Sequence, residues 1–220
     1  MKTKPDKRAT RKGGYYDKKY ASVTTVLKVL DKPALNNWML KRVFEATKGG
    51  AQTLKEAKDQ VFEKTQATMD LGTKAHRYVE LYGTGEKMEN TANIAGFIAA
   101  FHDWVIDFKP EFLIRELTVI HKEFAFGGTV DLVCKINGER CLVDVKTGRY
   151  IYPSVELQTT AYKMAYEVQE GKKIKKNYVL LLEKDSAGFP TGKYRFEELD
   201  YVPDIWEATV RLFYWTESLK

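Results

Sequence analysis

Cysteine is scarce in this chain. Two cysteines in 220 residues cannot build a disulfide framework, and they fall short of the four that ligate an iron–sulfur cluster. Both suit small, buried apolar positions in a reducing compartment, and a Cys134–Cys141 disulfide is not expected. Long apolar runs are missing too. No stretch is long enough to span a membrane, and no signal-peptide pattern is present. The expectation is a soluble, cytoplasmic protein with no membrane partner. No internal repeat appears. What remains is an ordinary globular composition, 44% hydrophobic and 30% charged, in a length that suits one compact domain. The formal charge of +6 tilts the partner question toward polyanions.

The stretch from Gly127 to Gly148 organises the chain. Asn137-Gly138 is a two-residue type I′ turn signal, because both positions need positive φ. Runs rich in β-branched and apolar residues flank it. If that turn sets the register, Cys134 faces Cys141, Leu132 faces Val143, and Asp131 lies directly opposite Asp144. Lys146 shares the face of Asp144 and stands opposite Thr129. The other face, with Val130, Leu132, Cys134, Ile136, Cys141, Val143 and Val145, belongs against a core. Two like charges directly opposite destabilise a strand pair. A divalent cation is the obvious neutraliser, since Mg²⁺ takes one or two carboxylates plus waters and phosphate oxygens. Lys146 beside it can neutralise a developing oxyanion or orient a water. The competing reading is a solvated hairpin face whose acidic pair the lysine relieves.

The rest of the chain divides around this hairpin. Residues 1–19 carry eight Lys or Arg, among them Arg8, Arg11 and Lys12, and read as a basic flexible arm. It either grips phosphates without reading sequence or only solubilises the terminus. Residues 20–220 form the domain, a helical part over 20–110 and an α/β core over 111–220. Ser22 or Thr24 caps a first short helix. A second runs from Pro33 to about Lys48, stopped by Gly49-Gly50. Leu35, Trp38, Met39, Val43 and Phe44 are its apolar face, with Trp38 expected in the core. An amphipathic helix over 53–69 continues or restarts through 70–80, where Gly72, His76 and Glu80 form one stripe. An imidazole one turn from a carboxylate can be a ligand pair, or a ligand with its orienting partner. A helix over 92–108 ends at Pro110, and His102 on it is taken as structural.

A strand over 112–121 places Glu116 among apolar residues, so it is a third carboxylate candidate or one half of a salt bridge with Arg115. After the hairpin, Ser154 caps a helix that Gly171 closes. Gln158 and Tyr162 share a face there, and Leu157, Ala161, Met164, Ala165 and Val168 pack behind. Lys172, Lys173, Lys175 and Lys176 form a basic cluster. Residues 177–183 read as a central buried strand, 193–199 as a last strand, and Asp204 as the cap of a final amphipathic helix. The order is that of an α/β fold, a mixed central sheet flanked by helices with a helical front half.

These residues resemble the PD-(D/E)XK nuclease superfamily, in particular its RecB-like branch of phage and CRISPR-associated exonucleases. Gly72-x-x-x-His76 resembles the branch's helical histidine motif. Glu116 resembles the acidic residue of the first core strand. Gly128-Thr129-Val130-Asp131 resembles the first aspartate motif, with Val130 where the superfamily name has proline. Asp144-Val145-Lys146-Thr147-Gly148 resembles the (D/E)XK strand, and Gln158-x-x-x-Tyr162 the motif on the following helix.

The resemblance implies a restriction-endonuclease-like fold and a Mg²⁺- or Mn²⁺-dependent DNA nuclease, an exonuclease by the branch it resembles, without an iron–sulfur cluster. It implies Asp131 and Asp144 as metal ligands, joined by His76 and the Val145 carbonyl. Glu116 and Glu80 would be outer groups or ligands of a second metal. Lys146 would be the catalytic cation, supported by Gln158 and Tyr162. The expected substrate is DNA with a free end, single-stranded in one reading, and the processes DNA recombination or repair. A helicase or a single-strand annealing or binding protein is the expected partner. Alternatives are a recombination accessory protein that binds through its basic clusters (Lys172–Lys176 and the arm), a structure-specific endonuclease, and a phosphatase for small substrates.

Overall fold

A computed structural model describes residues 20–30 and 33–219, with the side chains of 33–35 and 64 left aside. The basic arm expected over 1–19, with Arg8, Arg11 and Lys12, lies outside the described residues. In chain order the elements are β1 (Ala21–Ser22), α1 (Val23–Val26), α2 (Pro33–Lys48), α3 (Leu54–Leu81), α4 (Ala95–Phe108), β2 (Glu111–His121), β3 (Phe126–Ile136), β4 (Glu139–Gly148), α5 (Ser154–Glu170), β5 (Lys176–Lys184), β6 (Pro190–Leu199) and α6 (Pro203–Glu217). Contacts divide the described residues into two compact units, one within 30–95 and one made of the rest. The sequence reading placed its one internal boundary at 110, within a single domain.

The 30–95 unit is helical. α2 and α3 pack against each other. Thr53 caps α3 by accepting from the Glu56 amide at 3.1 Å, and Glu56 reaches back to the Gln52 amide at 2.7 Å. That reciprocal pair satisfies donors at the helix start. The two expected helical stretches over 53–80 are therefore one helix. Trp38, Met39 and Phe44 on α2 are exposed, so Trp38 is not a core residue. Within this unit, two helices do not enclose enough volume to bury every apolar side chain they carry.

The second unit holds a six-stranded mixed sheet in the order β1-β3-β4-β5-β6, with β2 also on β3. β4 and β5 run parallel, and α5 is the crossover between them, as parallel strands require. β5 lies between β4 and β6, and Val179, Leu180, Leu181 and Leu182 are at most 1% exposed. Its unbroken apolar run reflects coverage of both faces. From α4, Phe97, Phe101 and Trp104 bury fully, and the Trp104 ring meets Phe196 at 5.5 Å between centroids. Trp206 of α6 meets Phe126 edge-on at 5.0 Å. Gln169 of α5 takes the Ile120 amide and donates to the Thr118 carbonyl, both at 3.1 Å. It thereby covers part of the open edge of β2.

Several local expectations change. Ser154 is the first residue of α5 and Pro153 its cap, without a side-chain cap bond. Val202 caps α6, so Asp204 sits in the first turn, where its charge suits the helix dipole. His102 is exposed on α4, and Val168 on α5 is exposed as well.

Candidate active site

Asn137 and Gly138 take φ values of 52° and 80°, as a type I′ turn demands. The pairing that follows is the expected one, with Ile136 on Glu139, Lys135 on Arg140, Cys134 on Cys141 and Leu132 on Val143. Both cysteines are buried and free. The ladder then stops. β2 occupies one edge of β3 throughout, so β1 and β4 share the other, β1 at Phe126–Gly127 and β4 from Leu132 onward. Asp131 falls in the gap between them.

The expected direct opposition of Asp131 to Asp144, and of Thr129 to Lys146, is therefore not a continued ladder. Asp131 Oδ2 accepts the Val145 amide at 2.8 Å, taking the place of a backbone carbonyl. Two carboxylates facing across a regular pair would repel. Letting the strands part at this point relieves that repulsion and leaves the charges in place.

Asp144 is 1% exposed, which excludes the solvated-face reading for it. Its Oδ2 lies 2.5 Å from Lys146 Nζ, the two side chains standing on the same side two residues apart. Burial alone would push the lysine pKa down. The charges of Asp144 and Asp131, with the hydrogen bond to Asp144, outweigh it and hold the ammonium above its ordinary value. Lys146 is a fixed cation at neutral pH.

Glu116 lies between the ladder pairs Arg115–Leu132 and Leu117–Val130, across from Asp131. Oxygens of the two carboxylates lie within 4.8 Å of each other. Its φ is +50°, a left-handed backbone that costs a non-glycine residue about 1–3 kcal/mol and survives only where surroundings impose it. Asp131, Asp144 and Glu116 set against Lys146 leave a formal excess of two negative charges. A donor set of oxygens with that excess fits a hard divalent cation.

On α5, Gln158 Nε2 donates to the Tyr162 hydroxyl at 2.9 Å. The Tyr162 ring is buried over Gly128. A Cβ on Gly128 would come within 2.3 Å of Tyr162 Cε1, so only glycine admits the ring. The motif glycine is thus a close-approach residue, three positions before Asp131.

The remaining candidates belong to other elements. His76 is half-buried on α3, in the helical unit, as is Glu80. Arg77 binds Glu80 at 2.6 Å. Of the lysine cluster, Lys173 pairs with Glu167 and Lys176 with Glu198, both at 2.8 Å. Lys176 is level with Cys141 and Leu181 with Lys146. Five strand residues, about 16 Å at the usual rise, separate the cluster's level from the lysine of the site. Sequence reasoning passed over Arg149, Tyr150 and Tyr152, which follow Lys146 closely. The alternation Tyr-Ile-Tyr was the only signal, and it does not say which rings face outward.

A family model of the PD-(D/E)XK nuclease superfamily matches residues 38–212. No curated protein matches the chain. Among solved structures, a putative exonuclease from Eubacterium rectale is similar at 11% identity, over 96% of this chain and 83% of that one, with a TM-score of 0.47. An alkaline exonuclease, LHK-Exo, from Laribacter hongkongensis is similar at 11% identity over 90% and 87%, with a TM-score of 0.39. Its complex with dAMP gives 12% identity and the same TM-score. These structural likenesses are distant, and the family rests on the matched model.

Proposed function

Because the chain belongs to the PD-(D/E)XK nuclease superfamily, we propose that it is a divalent-metal-dependent DNA exonuclease acting in DNA recombination or repair. The observation that carries this reading is the pairing of buried Asp144 with Lys146 beside Asp131 and Glu116, with its excess of negative charge. Asp131 and Asp144 would hold the cation, with Glu116, the Val145 carbonyl and His76 completing its shell. Imidazole, the softer donor, would favour Mn²⁺ somewhat over Mg²⁺. By the resemblance, Glu80 would be an outer group or a ligand of a second metal. When bound, the ion supplies Lewis acidity to the phosphate and lowers the pKa of water.

The chain's own groups do the rest. Asp144 holds Lys146 charged and aimed. The ammonium orients the attacking water and offsets charge that grows on the phosphate oxygens in the transition state. Tyr162, seated on Gly128 and bonded to Gln158, positions the α5 side of the site. Cleavage is read as leaving a 5′-phosphate.

The test is cleavage of end-labelled linear and closed circular DNA, single- and double-stranded, with Mg²⁺, Mn²⁺ or EDTA. Lys146→Ala and Asp131→Ala run alongside. Metal-dependent loss of linear DNA alone, abolished by both substitutions, is expected. Cutting of circles would move the protein to the endonucleases. Binding without cleavage under either metal would leave an accessory binding protein instead.

A further inference from the structure

The loop between β4 and α5 has the sequence Arg149-Tyr150-Ile151-Tyr152-Pro153. Ile151 points inward and packs against Val155, Val179 and Leu199. Its two neighbours point outward, with Tyr150 58% and Tyr152 57% exposed. Among the eleven described tyrosines only one other, Tyr201, is exposed. The backbone of the loop is held at both ends. Arg195 Nη2 donates to the Arg149 carbonyl at 2.8 Å while its Nε is fixed on Glu183 at 2.9 Å. The Tyr152 carbonyl accepts the Val155 amide at 2.9 Å. The Arg149 guanidinium sits 5.3 Å over the Tyr150 ring.

Two rings are thus displayed in water on a braced backbone, which is the reverse of what burial energetics favour for aromatics. Tyr150 is four residues beyond Lys146, so their Cα atoms are at most about 14 Å apart. A phosphodiester chain lying across Lys146 would bring its neighbouring nucleotides to this loop. Unstacked bases are flat and apolar, and they stack on exposed aromatic rings whatever their sequence, with arginine adding a cation–π term. Paired bases inside a duplex do not offer those faces.

We infer that Tyr150 and Tyr152, with Arg149, form a stacking platform for the unpaired bases of single-stranded nucleic acid next to the cleaved phosphate. This rests on the nuclease reading for its position, but its test does not depend on cleavage. Fluorescence anisotropy in EDTA measures binding of a labelled oligothymidylate, and of an otherwise identical oligomer with abasic residues. The proteins are the wild type, Tyr150→Ala/Tyr152→Ala and Tyr150→Phe/Tyr152→Phe.

The alanine pair is expected to lose about tenfold or more in affinity for oligothymidylate. The phenylalanine pair should keep it, since stacking needs the ring and not the hydroxyl. The wild type should bind the abasic oligomer as weakly as the alanine pair binds oligothymidylate. Equal wild-type affinity for the two oligomers overturns the platform, even if the alanine pair fails to fold. So does equal loss in the alanine and phenylalanine pairs. Base-dependent binding without metal-dependent cleavage would retain the platform and remove the nuclease reading. Cleavage with unchanged binding by the alanine pair would do the opposite.

Discussion

The two ends of β4 behave differently, although one hairpin contains both. At the turn end, Cys134–Ile136 and Glu139–Cys141 pair in regular register, and the turn alone specifies which residues meet. At the far end the strands part at Asp131, and a side-chain carboxylate bonds the Val145 amide where a ladder would have placed a carbonyl. The first end stores stability in pairing. The second gives up pairing to keep three carboxylates and a lysine close together, and Glu116 carries a strained backbone at the same level. Regular structure and clustered charge compete, and the fold separates them along one strand.

Substitutions at the two ends should therefore read out in different quantities. The largest effect is expected from Asp144→Asn, which removes the charge that holds Lys146. Turnover should fall by about two orders of magnitude or more, measured as the cleavage rate at saturating metal, with the register of the hairpin unchanged by NMR. A decrease below tenfold would mean that Lys146 does not depend on Asp144.

Two glycine substitutions come next. Gly128→Ala forces a methyl into the Tyr162 ring and should cost about 1–3 kcal/mol of stability together with activity, because Tyr162 is displaced. Gly138→Ala at the turn, where φ is +80°, should cost about 1–2 kcal/mol and leave turnover per folded molecule intact. Urea midpoints paired with cleavage rates separate the two, and equal activity losses would erase the distinction between the ends.

The smallest effect concerns pH. Burial pushes the Cys134 thiol up to about 12, against an ordinary value of 9.0 in the unfolded chain. The folded state therefore holds this proton more tightly. That contribution is fully present below pH 9 and is lost as pH rises from 9 toward 12. Cys134→Val should flatten the fall in urea midpoint over that window relative to wild type. An unchanged slope would show that the thiol is not buried as described.

Much of this was legible in the residues. The Asn137-Gly138 turn, the hairpin register, α2 from Pro33 to Lys48 and the central β5 all follow from local chemistry: positive-φ turn residues, a proline in a first turn, a glycine pair as a stop, an unbroken apolar run. Asp131, Asp144 and Lys146 were legible as a group because a period of two puts them on one side. Exposure was not legible. Trp38, His102 and Val168 sit at core-like spacing, but spacing describes one helix and says nothing of whether a partner covers it. The caps expected at Ser154 and Asp204 fell to Pro153 and Val202, since a capping side chain is useful only where the chain enters the helix at the right angle.

Sequence by itself determined which residues could pair, which carried charge and on which side of a strand they stood, because those follow from covalent order and backbone geometry. Tertiary structure decided the rest. It ended the β3–β4 ladder by giving the other end of that edge to β1, and it put Glu116 across from Asp131 by pairing β2 with the opposite edge of β3. It also seated Tyr162 on Gly128 and left Tyr150 and Tyr152 in water. Each of these depends on which surfaces compete for the same space, and no local stretch of chain contains that competition.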